Sequence, residues 1–210
     1  MRAMTGLDSP PPKTPSNIPA WLIGLILFGL AFAIAGCGAV VGAGAGAGVA
    51  AAQERGLEGK ARDLKLEVLV AEAWLRTDHT YSVKMSIEVY ERRVLLTGVV
   101  DDEKVRADAV RLAWMIEGVK EVLNEIQVHG GGDVVDYARD AWITASLKST
   151  LTFDADVLAI NYSIETVNGV VYMIGIAQNQ KEMDRVLGHA RSIQYVRQVV
   201  NHVRVKTGSA

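Results

Sequence analysis

From residue 63 to residue 128, the hydrophobic positions recur first with the period of a helix and then with that of strands. Leu66, Val70 and Trp74 are spaced as on one buried face of a helix. Two segments of alternating apolar and polar residues follow, and such alternation predicts half-buried strands. A second helical stripe and one more strand complete the unit. The predicted elements are helices at Asp63–Thr77 and from Asp101 to Gly118, and strands at Tyr81–Tyr90, Arg93–Val100 and Val119–Val128.

The same order of elements returns 77 residues further along the chain, and the two copies align without a gap. The strand that ends in VLLTG at Gly98 aligns with the strand that ends in VYMIG at Gly175. A repeat of this length indicates two copies of one structural unit, and this order of elements suits helices packed on one face of a small sheet. We therefore predict an α+β fold of two tandem αββαβ domains, each a two-layer sandwich of two helices on a mixed three-stranded sheet. The second copy is predicted as Val134–Thr152, Val157–Val167, Val170–Ala177, Gln180–Ser192 and Val196–Lys206.

The repeat also sets the predicted domain boundaries. We place the first domain at residues 60–129 and the second at residues 134–206, with a tail at residues 207–210. The linker, residues 130–133, is rich in glycine. Such a linker permits flexibility, and it also leaves the two domains free to pack against each other.

The turns between the paired strands differ between the copies. Asn168-Gly169 joins the second pair, and this dipeptide is the strongest short-range signal for a tight two-residue turn. The first copy has Glu91-Arg92 at the matched positions, which predicts a looser or longer loop. Gly118 is expected to end the second helix of the first copy, whereas Tyr195 at the matched position predicts a different helix end.

The N-terminal region has the pattern of an export signal. Trp21–Ala35 is an uninterrupted apolar run of the length of a signal-peptide core. It ends in Ile34-Ala35-Gly36-Cys37, which resembles the lipobox of bacterial lipoproteins and implies cleavage before Cys37 and acylation of that cysteine, for example with palmitate. Several acyl chains form a lasting membrane anchor. The other interpretation is a retained transmembrane helix, because residues 20–52 carry no charge.

Under the lipoprotein interpretation, residues 1–36 are the signal peptide and residues 37–59 are the lipidated cysteine and a Gly/Ala-rich tether. Gly38 follows the cysteine. By resemblance to enterobacterial sorting, in which an aspartate at that position retains a lipoprotein in the inner membrane, Gly38 favours the outer membrane.

The composition excludes several classes of function. A formal net charge of −2 does not give the basic excess that nucleic-acid binding needs. One cysteine allows no internal disulfide, and the four histidines have no metal-ligand spacing. The sequence contains no nucleophile elbow, phosphate-binding loop or zinc-protease motif, so we predict no enzyme, no cofactor and no metal. Asp101-Asp102 is interpreted as a helix start, and Asp154 and Asp156 as solvated turn residues.

Trp142 is the residue whose position suggests a binding role. On a helical wheel it lies about 90° or more from the apolar stripe around Leu147, and the matched residue of the first copy is Lys65. A tryptophan among small residues and one lysine suits a membrane interface, where the ring lies at headgroup level. Packing against the other domain or against a loop is the alternative. Trp74 is predicted to belong to the core, and Trp114 to be partly exposed.

These patterns together resemble the BON domain. The resemblance rests on the αββαβ order, a V-x-L-x-G strand before the second helix and a G-V-x-x-V-x-N-x-I strand after it. Gly98 and Gly175 match the central glycine of that family, and Gly118 matches its helix-ending glycine. With the lipobox cysteine in front, the chain is similar over nearly its whole mature length to the dual-BON lipoproteins of Gram-negative bacteria, the division- and outer-membrane-stress-associated lipid-binding family.

The resemblance implies a protein anchored in the outer membrane, facing the periplasm, that supports envelope integrity, with division sites as one place of action. In that family the first helix of the second domain binds anionic phospholipid and has a tryptophan at the position of Trp142. The further contacts expected here are Ala145, Ser146, Lys148 and Ser149. The expected partners are the membrane and envelope proteins. The alternative function is a protein-interaction adaptor for outer-membrane assembly or cell-wall machinery.

Overall fold

The computed structural model describes residues 55–129 and 137–207, and all of them belong to one compact unit. The predicted signal peptide, Cys37 and most of the tether lie outside the described residues, as do residues 130–136 and 208–210. In the two described ranges, no helix combines the length and the hydropathy that crossing a bilayer requires.

The first domain packs its helices on one face of a three-stranded sheet. β1 pairs antiparallel with β2, and β2 pairs parallel with β3, so β2 is the central strand. The Asp102 side chain accepts a hydrogen bond from the Lys104 amide, which confirms the predicted helix start. The elements in chain order are α1 (Gly56–Thr77), α2 (Tyr81–Lys84), β1 (Met85–Tyr90), β2 (Arg93–Val100), α3 (Glu103–Trp114) and β3 (Glu121–Val128).

The second domain repeats this topology. Its central strand, β5, is antiparallel to β4 and parallel to β6. Each domain encloses its own hydrophobic core between its helices and one sheet face, so the predicted α+β class and mixed sheets are confirmed. The elements are α4 (Tyr137–Phe153), a 3₁₀ turn (Ala159–Asn161), β4 (Tyr162–Val167), β5 (Val170–Ala177), α5 (Gln180–Ser192) and β6 (Gln198–Val205).

The tryptophans of the first domain occupy the predicted positions. Trp74 is fully buried, and its Nε1 donates a hydrogen bond to the Ala109 carbonyl oxygen at 3.1 Å. Trp114 is about half exposed at the end of α3. Because Trp74 lies on α1 and Ala109 on α3, the hydrogen bond joins the two helices over the sheet.

α1 begins at Gly56, earlier than the predicted Asp63, because Arg55 anchors its first turn. Arg55 Nη1 lies 2.7 Å from Asp63 Oδ2 and donates to the Val89 carbonyl oxygen at 2.8 Å. The first turn of α1 is thereby attached to the end of β1.

The first strand of each domain begins later than predicted, because the chain first makes a helical turn. The last residue of that turn packs against the central glycine, Gly98 or Gly175, of the neighbouring strand. These turns are α2 and the 3₁₀ turn, and the strands start only at Met85 and Tyr162. A Cβ atom on Gly98 or Gly175 would collide with the carbonyl oxygen of the last residue of the turn. Both glycines also have positive φ, 129° and 155°, which disfavours any side chain.

Both hairpins have a tight two-residue turn, so the prediction of a looser loop at Glu91-Arg92 is wrong. The φ values there are 51° and 65°, close to the 51° and 72° of Asn168-Gly169. Positive φ is unfavourable for Glu and Arg, but the buried carboxylate of Asp63 accepts hydrogen bonds from both turn amides at 2.8 Å. Asp140 accepts the matching pair in the second domain at 2.6 and 2.8 Å.

The predicted difference between the two later helix ends is also wrong. Gly118 and Tyr195 both have positive φ, 98° and 70°, so the backbone takes the same path after α3 and after α5. A left-handed conformation is uncommon for tyrosine. The second domain therefore keeps a side chain at a position where the first domain has glycine.

The two domains pack against each other through the sheet faces that the helices leave open. Side chains alternate along each strand, so one set enters the domain's own core and the other set faces the second sheet. The resulting order of layers is helices, sheet, sheet, helices. The shared hydrophobic cluster consists of Tyr90, Leu95, Val167, Tyr172, Ile174 and Ile176.

Polar contacts join β6 to β3 and to β2 across this interface. Glu125 Oε1 lies 2.8 Å from His202 Nε2, and the two residues are 77 positions apart, the spacing of the repeat. Arg93 donates from Nη1 to the His202 carbonyl oxygen at 2.8 Å. A contact between matched residues indicates a pseudo-two-fold axis between the domains.

The contacts between β1 and β4 obey the same symmetry. Burial raises the pKa of Glu88, and the Ser163 side chain lies close enough to its carboxylate to oppose that rise; the Ser86 side chain does the same for Glu165. The two pairs correspond to each other, because residues 86 and 88 match residues 163 and 165 in the repeat. The interface is therefore a symmetric pairing of two related sheets within one chain.

Candidate functional site

α4 turns one face toward the core of the second domain and the opposite face toward solvent. The side chain of Trp142 points outward and keeps 47% of its surface exposed, as predicted. Because the helix is held from its inner side, its outer face is available for external contacts. The buried residues of α4 are Asp140, Ile143, Leu147 and Leu151.

The five predicted phospholipid-binding residues all lie on α4, but they do not all point in one direction. Trp142, Ala145, Lys148 and Ser149 are exposed, and Ser146 is half-buried. At 100° per residue, Ala145, Ser146 and Ser149 lie within about 60° of Trp142, whereas Lys148 lies about 120° away. The structure therefore brings four of the five onto one face and places the lysine on its flank.

Lys148 lies beside the carboxylates at the domain interface. Burial raises the pKa of Glu88 and of Glu165, and the nearby ammonium of Lys148 opposes that rise in both. Part of the lysine charge is therefore balanced within the protein. This leaves Lys148 a weaker attraction for an anionic surface than an isolated surface lysine would have.

Tyr195 packs against Trp142 and was missed by the sequence reasoning. The two ring centroids are 5.8 Å apart, with the planes inclined at 69° in an edge-to-face arrangement. The guanidinium carbon of Arg139 lies 5.3 Å from the centre of the Tyr195 ring. The alternative that Trp142 packs against a loop is thus partly realised, although about half of its surface remains exposed.

Phe153 extends the exposed apolar surface along α4 and was also missed. It is 86% exposed and follows Trp142 by three turns on the same side of the helix, roughly 16 Å along the axis. We refer to Trp142, Phe153 and Tyr195 as the aromatic face.

The comparison of the repeats contained a signal for the aromatic face. The residues of the first domain at the matched positions are Lys65, Arg76 and Gly118. Three aromatic residues therefore replace two basic residues and a glycine, while the core positions of both helices stay apolar. Only the exchange at Trp142 was recognised from the sequence, because Phe153 lies at the last residue of the helix and Tyr195 is distant in the chain.

Asp154 is more enclosed than a solvated turn residue, so that interpretation is wrong for this position. Its side chain keeps 9% of its surface. It accepts a hydrogen bond from Arg185 Nε at 2.6 Å, and His189 Nε2 lies at the same distance. These contacts hold the pKa of Asp154 well below its usual range, with Arg185 as the main cause. The neighbouring Asp156 is exposed, as expected, and the cluster joins the end of α4 to α5.

α1 of the first domain also exposes apolar residues along its outer side. Leu57, Leu64, Val68 and Leu75 are each between 51% and 57% exposed. At 100° per residue, they lie within about 20° of a single line along the helix. We refer to these four residues as the aliphatic stripe.

Among the residues that the structure describes, no three His, Cys, Asp or Glu side chains are grouped so as to hold a metal ion.

Comparison with known proteins identifies the family of these two domains. The BON domain profile matches residues 62–130 and 139–207. A protein encoded in the gshII 5' region of Anaplasma centrale is 43% identical over 129 residues, which cover 61% of this chain and 85% of that protein. The outer membrane lipoprotein DolP of Haemophilus influenzae is 31% identical over 159 residues, covering 74% and 82%. Osmotically-inducible protein Y of Escherichia coli is 29% identical over 146 residues, covering 69% and 73%. The chain belongs to the BON domain family, as a member with two BON domains.

Proposed function

We propose that this chain is an outer-membrane-anchored periplasmic lipoprotein whose second BON domain binds anionic phospholipid through α4. The observation that carries the proposal is the aromatic face, whose three side chains are 47%, 86% and 53% exposed. Large aromatic side chains on a helix face suit the boundary between lipid headgroups and acyl chains. Burying them in that boundary removes apolar surface from water.

The small residues on the same side of α4 support this proposal. Ala145 and Ser149 are exposed between Trp142 and Phe153, so the helix backbone can approach the headgroups closely. Ser146 is half-buried beside them. Lys148 contributes from the flank, with the part of its charge that Glu88 and Glu165 leave unbalanced.

The mechanism is attachment at two points. Acyl chains on Cys37 hold the protein at a bilayer, and the tether then keeps α4 at a high local concentration near the headgroups. A contact worth only a few kcal/mol is too weak for a free protein, yet it is sufficient to orient a tethered one. The contact in turn supports envelope integrity, with division sites as one place of action.

Two observations support the proposed location. The Haemophilus influenzae relative is an outer membrane lipoprotein, and Gly38 occupies the position after the lipobox cysteine. The absence of catalysis and of a cofactor is part of the proposal.

A second candidate function is a protein-interaction adaptor, and the aliphatic stripe favours it. The stripe belongs to the first domain and is not part of the aromatic face. An exposed row of leucine and valine side chains is the pattern by which a helix enters an apolar groove. In this function the occupant would be an envelope protein of the outer-membrane assembly or cell-wall machinery.

The two functions are distinguished by co-sedimentation with liposomes. Residues 46–210 are attached through an N-terminal histidine tag to nickel-chelating lipid, which replaces the acyl anchor, and the untethered protein is run beside them. Burial of Trp142 in the bilayer is read from its fluorescence. We expect an increase and blue shift of the fluorescence only with phosphatidylglycerol, weaker at high salt, and abolished in Phe153→Glu, which keeps every tryptophan of the chain. Co-sedimentation of the untethered protein at high lipid concentration should be lost in Trp142→Glu.

Trp114→Glu is the matched control, because Trp114 is similarly exposed on the other domain. It should retain the lipid response, and circular dichroism should show all three variants folded. An equal response of Trp142→Glu and the wild type would exclude the aromatic face from the membrane. Saturable binding to one envelope protein that is independent of lipid and lost in Leu64→Glu would favour the adaptor.

A further inference from the structure

A cleft of about 650 Å³, lined by the first domain and by Arg204 of β6, is not part of the proposed lipid contact. It lies at the start of α1, the β1–β2 turn and the start of β3, and we refer to it as the basic cleft. Six basic residues face three acidic ones, which leaves an excess of positive charge. The lining side chains are those of Arg55, Arg62, Arg92, Arg93, Lys120 and Arg204, with Asp63, Glu91 and Glu121.

Two of the three carboxylates are engaged with protein groups and fix part of the wall. The Asp63 carboxylate accepts hydrogen bonds from the two turn amides and from Arg55 Nη1. Glu121 Oε2 accepts hydrogen bonds from Arg93 Nε at 2.6 Å and from Arg204 Nη2 at 2.8 Å. The hydrogen bond from Arg93 is the main cause that lowers the pKa of Glu121. These contacts balance part of the charge of Arg55, Arg93 and Arg204 and hold them in place.

The other three cations have no such partner. Within residues 55–129 and 137–207, the side chains of Arg62, Arg92 and Lys120 make no hydrogen bond or ion pair. The Lys120 amide donates to the Arg92 carbonyl oxygen at 2.9 Å, which keeps the start of β3 beside the turn. Glu91 is the remaining acid, and it is exposed. The three cations repel one another, and an anion between them would relieve that repulsion.

The backbone at Arg92 is a second, independent observation. Its φ is 65°, which is unfavourable for arginine, and the second domain has Gly169 at the matched position. Strained residues of this kind concentrate at functional sites. An arginine in place of a glycine at this point provides the cleft with a guanidinium at the expense of backbone strain.

In residues 137–207 of the second domain, the cations that match Arg62 and Lys120 make contacts within the protein. Arg139, which matches Arg62, lies over the Tyr195 ring. Arg197, which matches Lys120, donates to the Asn168 carbonyl oxygen at 3.4 Å. The cations of the second domain thus contact the protein itself, whereas those of the first domain remain directed at the cleft.

We propose that the basic cleft binds a phosphate group through Arg62, Arg92 and Lys120. Guanidinium groups offer pairs of N–H donors that match phosphate oxygens, and an ammonium adds a point charge. The volume admits a phosphate ester with a small organic group. The phosphate is either that of a soluble ester or that of a lipid headgroup. The proposal does not depend on the aromatic face.

The test is titration calorimetry of the full chain in non-ionic detergent, with inorganic phosphate and glycerol phosphate as probes at low salt. Saturable binding is expected, and Arg92→Gly or Lys120→Ala should weaken it about tenfold, as expected for loss of a charge-assisted hydrogen bond. Glu91→Gln should tighten it, because it removes a repelling carboxylate. Arg197→Ala, the matched change in the second domain, should leave the affinity unchanged.

Arg92→Gly also separates binding from folding. Glycine relieves the strain at positive φ, so the urea midpoint of unfolding should stay the same or rise while phosphate affinity falls. The absence of saturable phosphate binding, or equal binding by Arg92→Gly, would overturn the proposal, as would equal displacement of phosphate by acetate.

Vesicles distinguish the two sources of phosphate. In a Trp142→Glu background, residual binding to phosphatidylglycerol–phosphatidylcholine vesicles that is lost on Arg92→Gly would identify a lipid headgroup. Binding of glycerol phosphate with no vesicle binding in that background would identify a soluble ester.

Discussion

At the residue scale, the central glycines determine where each sheet can begin. Gly98 and Gly175 lie under the carbonyl oxygen of the preceding turn, and their positive φ adds a second constraint. The two effects act together, because a side chain would both collide with the turn and strain the backbone. The position of these glycines in the sequence was recognised, but the turn that crosses them was not.

Gly175→Ala is expected to destabilise the protein by about 3 kcal/mol or more, because its Cβ would meet a backbone oxygen that cannot move without breaking the 3₁₀ turn. The measurement is the free energy of unfolding in urea, followed by circular dichroism.

Gly188→Ala is the control for that substitution. Gly188 lies inside α5 with open space around its Cβ position, so alanine should stabilise by about 0.5–1 kcal/mol through helix propensity. A comparable loss in both variants would refute the steric explanation.

At the scale of the elements, a buried carboxylate on the first helix of each domain fixes the hairpin of the same domain. Asp63 and Asp140 are 2% and 5% exposed, and each accepts both amides of a two-residue turn. In the second domain the turn residues Asn168-Gly169 favour this conformation by themselves. In the first domain, Glu91-Arg92 does not, so the carboxylate has to enforce it.

Asp63→Ala should therefore cost more stability than Asp140→Ala. We expect a loss of about 3 kcal/mol or more for Asp63→Ala, since it also leaves Arg55 buried without its ion pair, and about 2 kcal/mol for Asp140→Ala. Urea unfolding of both variants provides the comparison, with the exposed Asp184→Ala as a control. Equal losses of unfolding free energy would show that the turn sequence does not change how much the buried carboxylate contributes to stability.

Local patterns predicted the elements and one part of the site, and the missing parts depend on contacts between distant residues. The stripe of Trp74, the turn at Asn168-Gly169 and the outward position of Trp142 follow from spacing alone. The tight turn at Glu91-Arg92 could not be predicted, because the carboxylate that stabilises it comes from 28 residues earlier in the chain.

The domain interface was equally hidden from the sequence. Glu88 and Glu165 alternate with core residues on their strands and read as solvent-facing positions, yet they face the other sheet. The alternation of a strand distinguishes its two faces but does not show what covers the second face.

At the scale of the whole molecule, the sheet interface should make stability depend on pH. Burial raises the pKa of Glu88 and Glu165 above the ordinary 4.5, and their mutual repulsion adds to the rise for Glu165. The folded state therefore binds these protons more tightly than the unfolded state does. The resulting stabilisation is complete below the unfolded pKa and is lost as the pH rises through the raised folded pKa.

We expect the free energy of unfolding to fall as the pH rises from the ordinary glutamate range through the raised pKa values of Glu88 and Glu165, and Glu88→Gln with Glu165→Gln to flatten that decrease. Urea unfolding at several pH values measures both slopes. The opposite effect of Asp154 and Glu121, whose pKa values are lowered, is confined to more acidic solutions. An unchanged slope in the double variant would assign the pH dependence to other groups.

The contact of Glu125 with His202 bears on how the two copies recognise each other. The symmetric interface would also allow two molecules to exchange domains, or two identical domains to associate. Around the pseudo-two-fold axis, however, a pair of first domains would oppose Glu125 to Glu125, and a pair of second domains would oppose His202 to His202. Only the unlike pair joins a carboxylate to an imidazole. The difference at this one matched position therefore favours pairing of a first domain with a second domain. Because the connection between the two copies is short, the nearest second domain is the one in the same chain.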